Sequence, residues 1–155
     1  MKSQACLFTV SMVFLLLITA CGSGSSAGGN PSDGGGITVT AKGNSLAFEQ
    51  TNISVSAGQA VSLTLDNSLS TLEHNWVLVR GGEAEARSIA ADALTAGRAN
   101  HYLPSDTTNI IAATQVLAPG EAETITFEAP EPGIYFYICT VPGHYPLMRG
   151  RLVVE

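Results

Sequence analysis

From residue 37 onward, polar and apolar residues alternate along much of this chain. Residues 37–41 (ITVTA) are rich in β-branched side chains. In residues 52–56 (NISVS), Ile53 and Val55 share one face, and Val61, Leu63 and Leu65 alternate with Ser62 and Thr64. Residues 123–128 repeat the pattern, with Ile125 and Phe127 turned inward. A period of two puts successive side chains on opposite faces, so each run predicts a half-buried strand. Residues 75–79 (NWVLV) and 133–139 (GIYFYIC) are apolar throughout. They predict strands covered on both faces, the second of them central in its sheet. Residues 151–155 (RLVVE) close the chain. Turn formers at 57–58, 66–68, 118–120 and 130–133 separate these runs.

Residues 83–98 (EAEARSIAADALTAGR) break the pattern. Ala86, Ile89, Ala90 and Ala93 recur at helical spacing, which predicts one short helical excursion. The chain therefore reads as all-β: a Greek-key β-sandwich of seven to eight strands with that excursion inserted.

The N-terminus follows different rules. Residues 5–20 (ACLFTVSMVFLLLITA) follow Lys2 as an almost unbroken apolar run. It is short for a membrane span and suits a signal peptide ending at residue 20. The stretch ITAC at 18–21 resembles the lipobox of bacterial lipoproteins, which makes Cys21 the expected lipidation site. An ordinary signal peptide with an incidental Cys21 is the alternative, and an uncleaved anchor a lesser one. Residues 22–36 are dominated by glycine and serine, a flexible linker reaching roughly 20 Å. The expected organisation is a signal peptide at 1–20, a lipidated cysteine and linker at 21–36, and one domain at 37–155. The product is exported and tethered on the extracytoplasmic, periplasmic side.

With 45% apolar and 13% charged residues, the chain has enough to bury for a real core. The formal net charge is −6 and no basic cluster occurs, which argues against nucleic-acid binding. Three cysteines are present, Cys6, Cys21 and Cys139. The first falls in the signal peptide and the second at the lipobox, so the domain keeps one thiol and no internal disulfide. A lone thiol in an oxidising compartment is a liability unless buried or bound.

That thiol opens CTVPGHYPLM, residues 139–148. Cys139, His144 and Met148 lie on a loop between two predicted strands. Pro142 and Pro146 restrict it and Gly143 permits a tight bend. A thiolate, an imidazole and a thioether together select copper, with zinc as competitor. Three ligands on one loop need another from elsewhere, and the other histidines are His74 and His101. His74 opens the buried-looking run HNWVLV, where its backbone is held firmly. His101, in ANHYLP, is expected to be a surface histidine. A buried thiol, a gap-filling methionine and a loop histidine are each common as packing. Their joint spacing, with His74 upstream, argues for a metal site.

These residues (HNWVLV at 74–79, PGEAETITFEAPEPGIYFYICTVPGH at 119–144, and Met148) resemble the cupredoxins, or blue copper proteins, and within them the azurin-like, auracyanin-type branch. The resemblance covers nearly all of residues 37–155. It implies a β-sandwich with one type 1 copper held by His74, Cys139 and His144, with Met148 as a long axial ligand. It also implies that Asn75 braces the ligand loops. The Glu73 carbonyl occupies the position of a weak fifth contact, with glutamate standing where the azurin pattern has glycine.

The implied function is single-electron transfer, with His144 as electron port and Pro142, Tyr145, Pro146 and Leu147 as an apolar docking rim. Redox partners implied by analogy are a membrane quinol-oxidising complex, a photosynthetic reaction centre or a cytochrome, met by a monomeric domain. Copper delivery is the alternative. An enzymatic role needs a further metal site, which His101 alone cannot supply, so none is expected.

Overall fold

A computed structural model describes residues 36–155. The expected signal peptide at 1–20, the expected lipidation site Cys21 and all but the last residue of the expected linker lie outside the described residues. Among the described residues eight strands form, in chain order β1 (Ile37–Thr40), β2 (Asn52–Val55), β3 (Ala60–Asp66), β4 (Val77–Val79), β5 (Ile110–Ala113), β6 (Ala122–Glu128), β7 (Gly133–Ile138) and β8 (Arg149–Val154). One helix, α1 (Glu83–Ala96), and a 3₁₀ turn at Arg98–Asn100 lie between β4 and β5. The strands make two sheets, β1-β3-β6 and β2-β8-β7-β4-β5. β1 runs parallel to β3 and β2 parallel to β8, while the remaining pairs are antiparallel. This is the expected β-sandwich, with β7 at the centre of the five-stranded sheet.

The main core fills the space between the sheets. Val39, Leu63 and Leu65 come from one sheet, and Leu78, Tyr137 and Leu152 from the other. All six are fully buried, and each aliphatic among them contributes about 1.5–3 kcal/mol of burial free energy. Trp76 packs between Tyr137 and Phe127, at ring-centroid distances of 5.5 and 5.9 Å. At Gly150 of β8 an added Cβ would lie 2.2 Å from the Tyr137 ring. That close approach lets the Tyr137 hydroxyl donate to the Gln50 carbonyl at 2.5 Å.

A second cluster explains why two strands are apolar on both faces. Val77, Val79 and Ile138 point away from the sandwich and pack against Ala86 and Ile89 of α1. Trp76, Leu78 and Tyr137 point into it. The helix thus covers the outer face of the β4–β7 pair. Its start is set by Glu85, whose Oε2 accepts the Gly82 amide at 2.8 Å, while Glu83 and Glu85 in the first turn complement the helix dipole.

Strand β5 has no counterpart among the predicted elements. Its sequence, IIAA, is short and half alanine, a residue depleted in strands. It is extended because β4 pairs with it, Val77 opposite Ala113 and Leu78 opposite Ala112. The adjoining Thr114 reinforces the pairing: its Oγ1 accepts the Trp76 amide at 2.9 Å.

Candidate metal centre

The strands bring His74, Cys139 and His144 together at one end of the sandwich. His74 precedes β4 and is held by an isolated bridge to Leu117, donating to its carbonyl at 3.2 Å and accepting from its amide at 2.8 Å. Cys139 follows β7. The loop then folds on itself: the His144 amide donates to Val141 O at 3.0 Å, and the Met148 amide to His144 O at 2.8 Å. The turn requires positive φ at Gly143 (84°), which glycine adopts without strain. The Cys139 amide donates to Met148 O at 3.0 Å and closes the loop.

Three donor atoms converge. His74 Nδ1 and His144 Nδ1 are 3.2 Å apart, and Cys139 Sγ lies 3.9 Å from the first and 3.5 Å from the second. A point equidistant from all three lies about 2.1 Å from each, close to metal–nitrogen and metal–thiolate bond lengths of roughly 2.0–2.3 Å. Among the described residues these three are the group of His, Cys, Asp and Glu side chains placed to hold a metal ion. The fully buried Met148 belongs to the same apolar cluster as Cys139. A thiolate and two imidazoles, with a methionine on the same loop, suit copper.

Burial sets the protonation of these groups. His74 is pushed down to about 4, chiefly by desolvation and then by the neighbouring His144. His144 is also lowered by desolvation, against the pull of Glu73. Both rings are therefore neutral at pH 7, with lone pairs to offer. Burial pushes the Cys139 thiol up to about 12, while the backbone amides of Asn75 and Val141 act in the opposite direction. A cation arriving here displaces the thiol proton.

The surrounding hydrogen bonds orient the donors. Asn75 Nδ2 donates to Thr140 Oγ1 at 2.7 Å and to His101 O at 2.9 Å, and the Thr140 amide donates to Asn75 Oδ1 at 2.8 Å. Asn75 therefore ties together the two residues that follow His74 and Cys139. Ser70 does the corresponding work on the His74 ring. Its Oγ accepts the Leu72 amide at 3.0 Å and lies 3.2 Å from His74 Nε2; with Nδ1 committed to a metal ion, Nε2 carries the ring proton and donates to Ser70 Oγ. Nδ1 is the nitrogen that faces Cys139 and His144.

Other sequence expectations fall into place as follows. The Glu73 side chain turns to Arg98, with Oε2 2.7 Å from Nε. Pro142, Pro146 and Leu147 are exposed and His144 is half-buried. The Tyr145 ring packs into the α1-side cluster, and its hydroxyl is buried. His101, expected at the surface, is half-buried: its Nδ1 accepts the Val116 amide at 3.2 Å. Ser70, Thr140 and His101 escape sequence reasoning. Only Thr140 carried a signal, its place beside Cys139 in the loop motif.

A family profile described as copper binding proteins of the plastocyanin/azurin family matches residues 36–155. Auracyanin-A of Chloroflexus aurantiacus is 47% identical over 145 residues, covering 90% of each chain. The solved structure of auracyanin A, titled a "blue" copper protein from that green thermophilic photosynthetic bacterium, superposes with a TM-score of 0.73 at 52% identity, over 77% of this chain and 97% of that one. Dithionite-reduced auracyanin from Roseiflexus castenholzii superposes at 0.72 and 42% identity, over 77% and 95%.

Proposed function

Because this chain belongs to the plastocyanin/azurin family of copper-binding proteins, it is a blue copper electron-transfer protein, and we propose that His74, Cys139, His144 and Met148 would hold its copper. The observation that carries this assignment is the convergence of Cys139 Sγ with the two Nδ1 atoms, at 3.2 to 3.9 Å from one another. The Glu73 carbonyl is at most a weak further contact. When bound, copper supplies reversible one-electron chemistry, Cu(II) to Cu(I).

The chain's own residues make that exchange fast. Ser70, Asn75 and Thr140 hold the donors in place, so little has to move when the charge changes. Burial of His74, Cys139 and Met148 keeps water from the donors. His144 is the half-buried member of the set and serves as the electron port. Pro142, Pro146 and Leu147 form an apolar docking rim, backed by the Tyr145 ring. A patch of this kind suits brief encounters with redox proteins.

The domain, residues 37–155, is tethered through a lipid on Cys21 after loss of residues 1–20, on the extracytoplasmic side. Its partners are membrane-bound and soluble redox proteins: a quinol-oxidising complex as donor, a reaction centre or cytochrome as acceptor. The apolar leader, the ITAC stretch and the Gly/Ser linker support the tether.

The test is a visible spectrum of the chain after Cu(II), then ascorbate. A strong thiolate-to-copper band should appear, bleach reversibly, and be lost in Cys139→Ser. A colourless complex, or metal release on reduction, would overturn the carrier assignment in favour of copper delivery.

A further inference from the structure

Two non-glycine residues among those described have positive φ, and they are consecutive: His101 (54°) and Tyr102 (52°). A left-handed backbone crowds any residue with a Cβ, so two in succession persist only where the surroundings hold them. The conformation aims both carbonyls at the metal-binding strands. His101 O accepts Asn75 Nδ2–H at 2.9 Å, and Tyr102 O accepts the Thr140 hydroxyl at 2.8 Å. Asn75 follows His74, and Thr140 follows Cys139.

The donors here are used up in a fixed order. One Asn75 amide hydrogen goes to His101 O and the other to Thr140 Oγ1. The Thr140 proton is committed to Tyr102 O. The His101 ring adds a third point, since its Nδ1 accepts the Val116 amide at 3.2 Å. Val116 precedes Leu117, whose amide and carbonyl both pair with His74. Residues 101 and 102 therefore grip the neighbours of His74 from two sides and the neighbour of Cys139 from a third.

We infer that His101 and Tyr102, in the segment between α1 and β5, are positioning residues for the metal centre: they hold the Asn75–Thr140 brace and the Val116–Leu117 backbone so that His74 and Cys139 keep their separation with or without a bound ion. The inference rests on the ligand assignment above, and it gives the α1 excursion a role beyond covering the sheet. Neither residue touches the ion. Both act through Asn75, Thr140 and Leu117.

The test uses the full chain as wild type, His101→Ala, His101→Asn and Thr140→Val. In the metal-free protein, amide hydrogen exchange at Thr140 and Leu117 is followed by NMR. In the copper-loaded protein, the EPR copper hyperfine coupling is recorded. His101→Ala should speed exchange at these amides by about 3- to 10-fold, the range of one hydrogen bond's net contribution, and should change the hyperfine coupling. His101→Asn keeps a side-chain acceptor and tolerates left-handed backbone, so it should lie closer to wild type. Wild-type exchange and hyperfine coupling in His101→Ala would overturn the inference, whatever its melting temperature. If that variant does not fold, Thr140→Val decides by the same two readouts. Exchange in the metal-free protein does not depend on where copper binds, so a failure of the ligand assignment stays distinguishable from a failure here.

Discussion

Asn75 and Thr140 exchange two hydrogen bonds, Nδ2 to Oγ1 at 2.7 Å and amide to Oδ1 at 2.8 Å, beside His74 and Cys139 of the candidate metal centre. Both side chains are fully buried, so neither has water as a substitute partner. Asn75→Leu leaves the Thr140 amide and the His101 carbonyl unpaired. It should destabilise the protein by about 1–3 kcal/mol. The check is a denaturant midpoint for the copper-loaded protein, with a shifted reduction potential as the functional counterpart.

Ser70 touches the same histidine from behind. Ser70→Ala removes the acceptor for Nε2–H and frees the His74 ring to turn. Losing a partner that orients a metal-bound imidazole typically costs about 10- to 100-fold in affinity. A titration against a competing chromophoric chelator reads that loss directly.

The metal-free protein should lose stability in mild acid. The pKa of His74 in the fold, about 4, lies below its ordinary value of 6.5. The unfolded chain therefore takes up a proton first as pH falls. The contribution is fully present above pH 6.5, is lost as pH falls toward about 4, and levels off below that. Denaturant unfolding of chelator-treated protein across this window should show the decline. His74→Phe should reduce it, leaving the part that comes from His144, which burial also lowers.

Gly150 should be intolerant of any side chain. A Cβ there would meet the Tyr137 ring at 2.2 Å, and the ring is fixed by Trp76, Phe48 and the Gln50 carbonyl. Gly150→Ala should cost about 1–3 kcal/mol through overpacking. The clash disappears with the ring, so Gly150→Ala should cost less in a Tyr137→Leu background than in wild type. Thermal melts of both single variants and the double variant settle the point.

Much of this molecule was legible before any coordinates. Alternation along β2, β3 and β6 marks half-buried strands because the pleat has a period of two. The continuous apolar runs around β4 and β7 mark strands covered on both faces, and the alanine-rich excursion that covers them has its own helical period. The grouping of His74, Cys139 and His144 was legible for a chemical reason: cysteine and histidine are scarce donors, and their spacing survives without knowledge of the fold.

What sequence alone determined, then, was the local periodicity and the chemistry of the donors. What only the tertiary structure decided was everything resting on pairing between distant segments. β5 is a strand because β4 offers it hydrogen bonds, not because IIAA prefers to be one. His101 is a half-buried hydrogen-bonding group, not a surface histidine, because the segment after α1 folds back against Asn75 and Val116. Ser70 Oγ reaches the His74 ring at 3.2 Å because the turn that carries it is closed by the Leu72 amide at 3.0 Å. A side chain's period and softness are written in its own identity and near neighbours. The partner that completes its hydrogen bonds is supplied by chain folded in from elsewhere, and no local pattern encodes it.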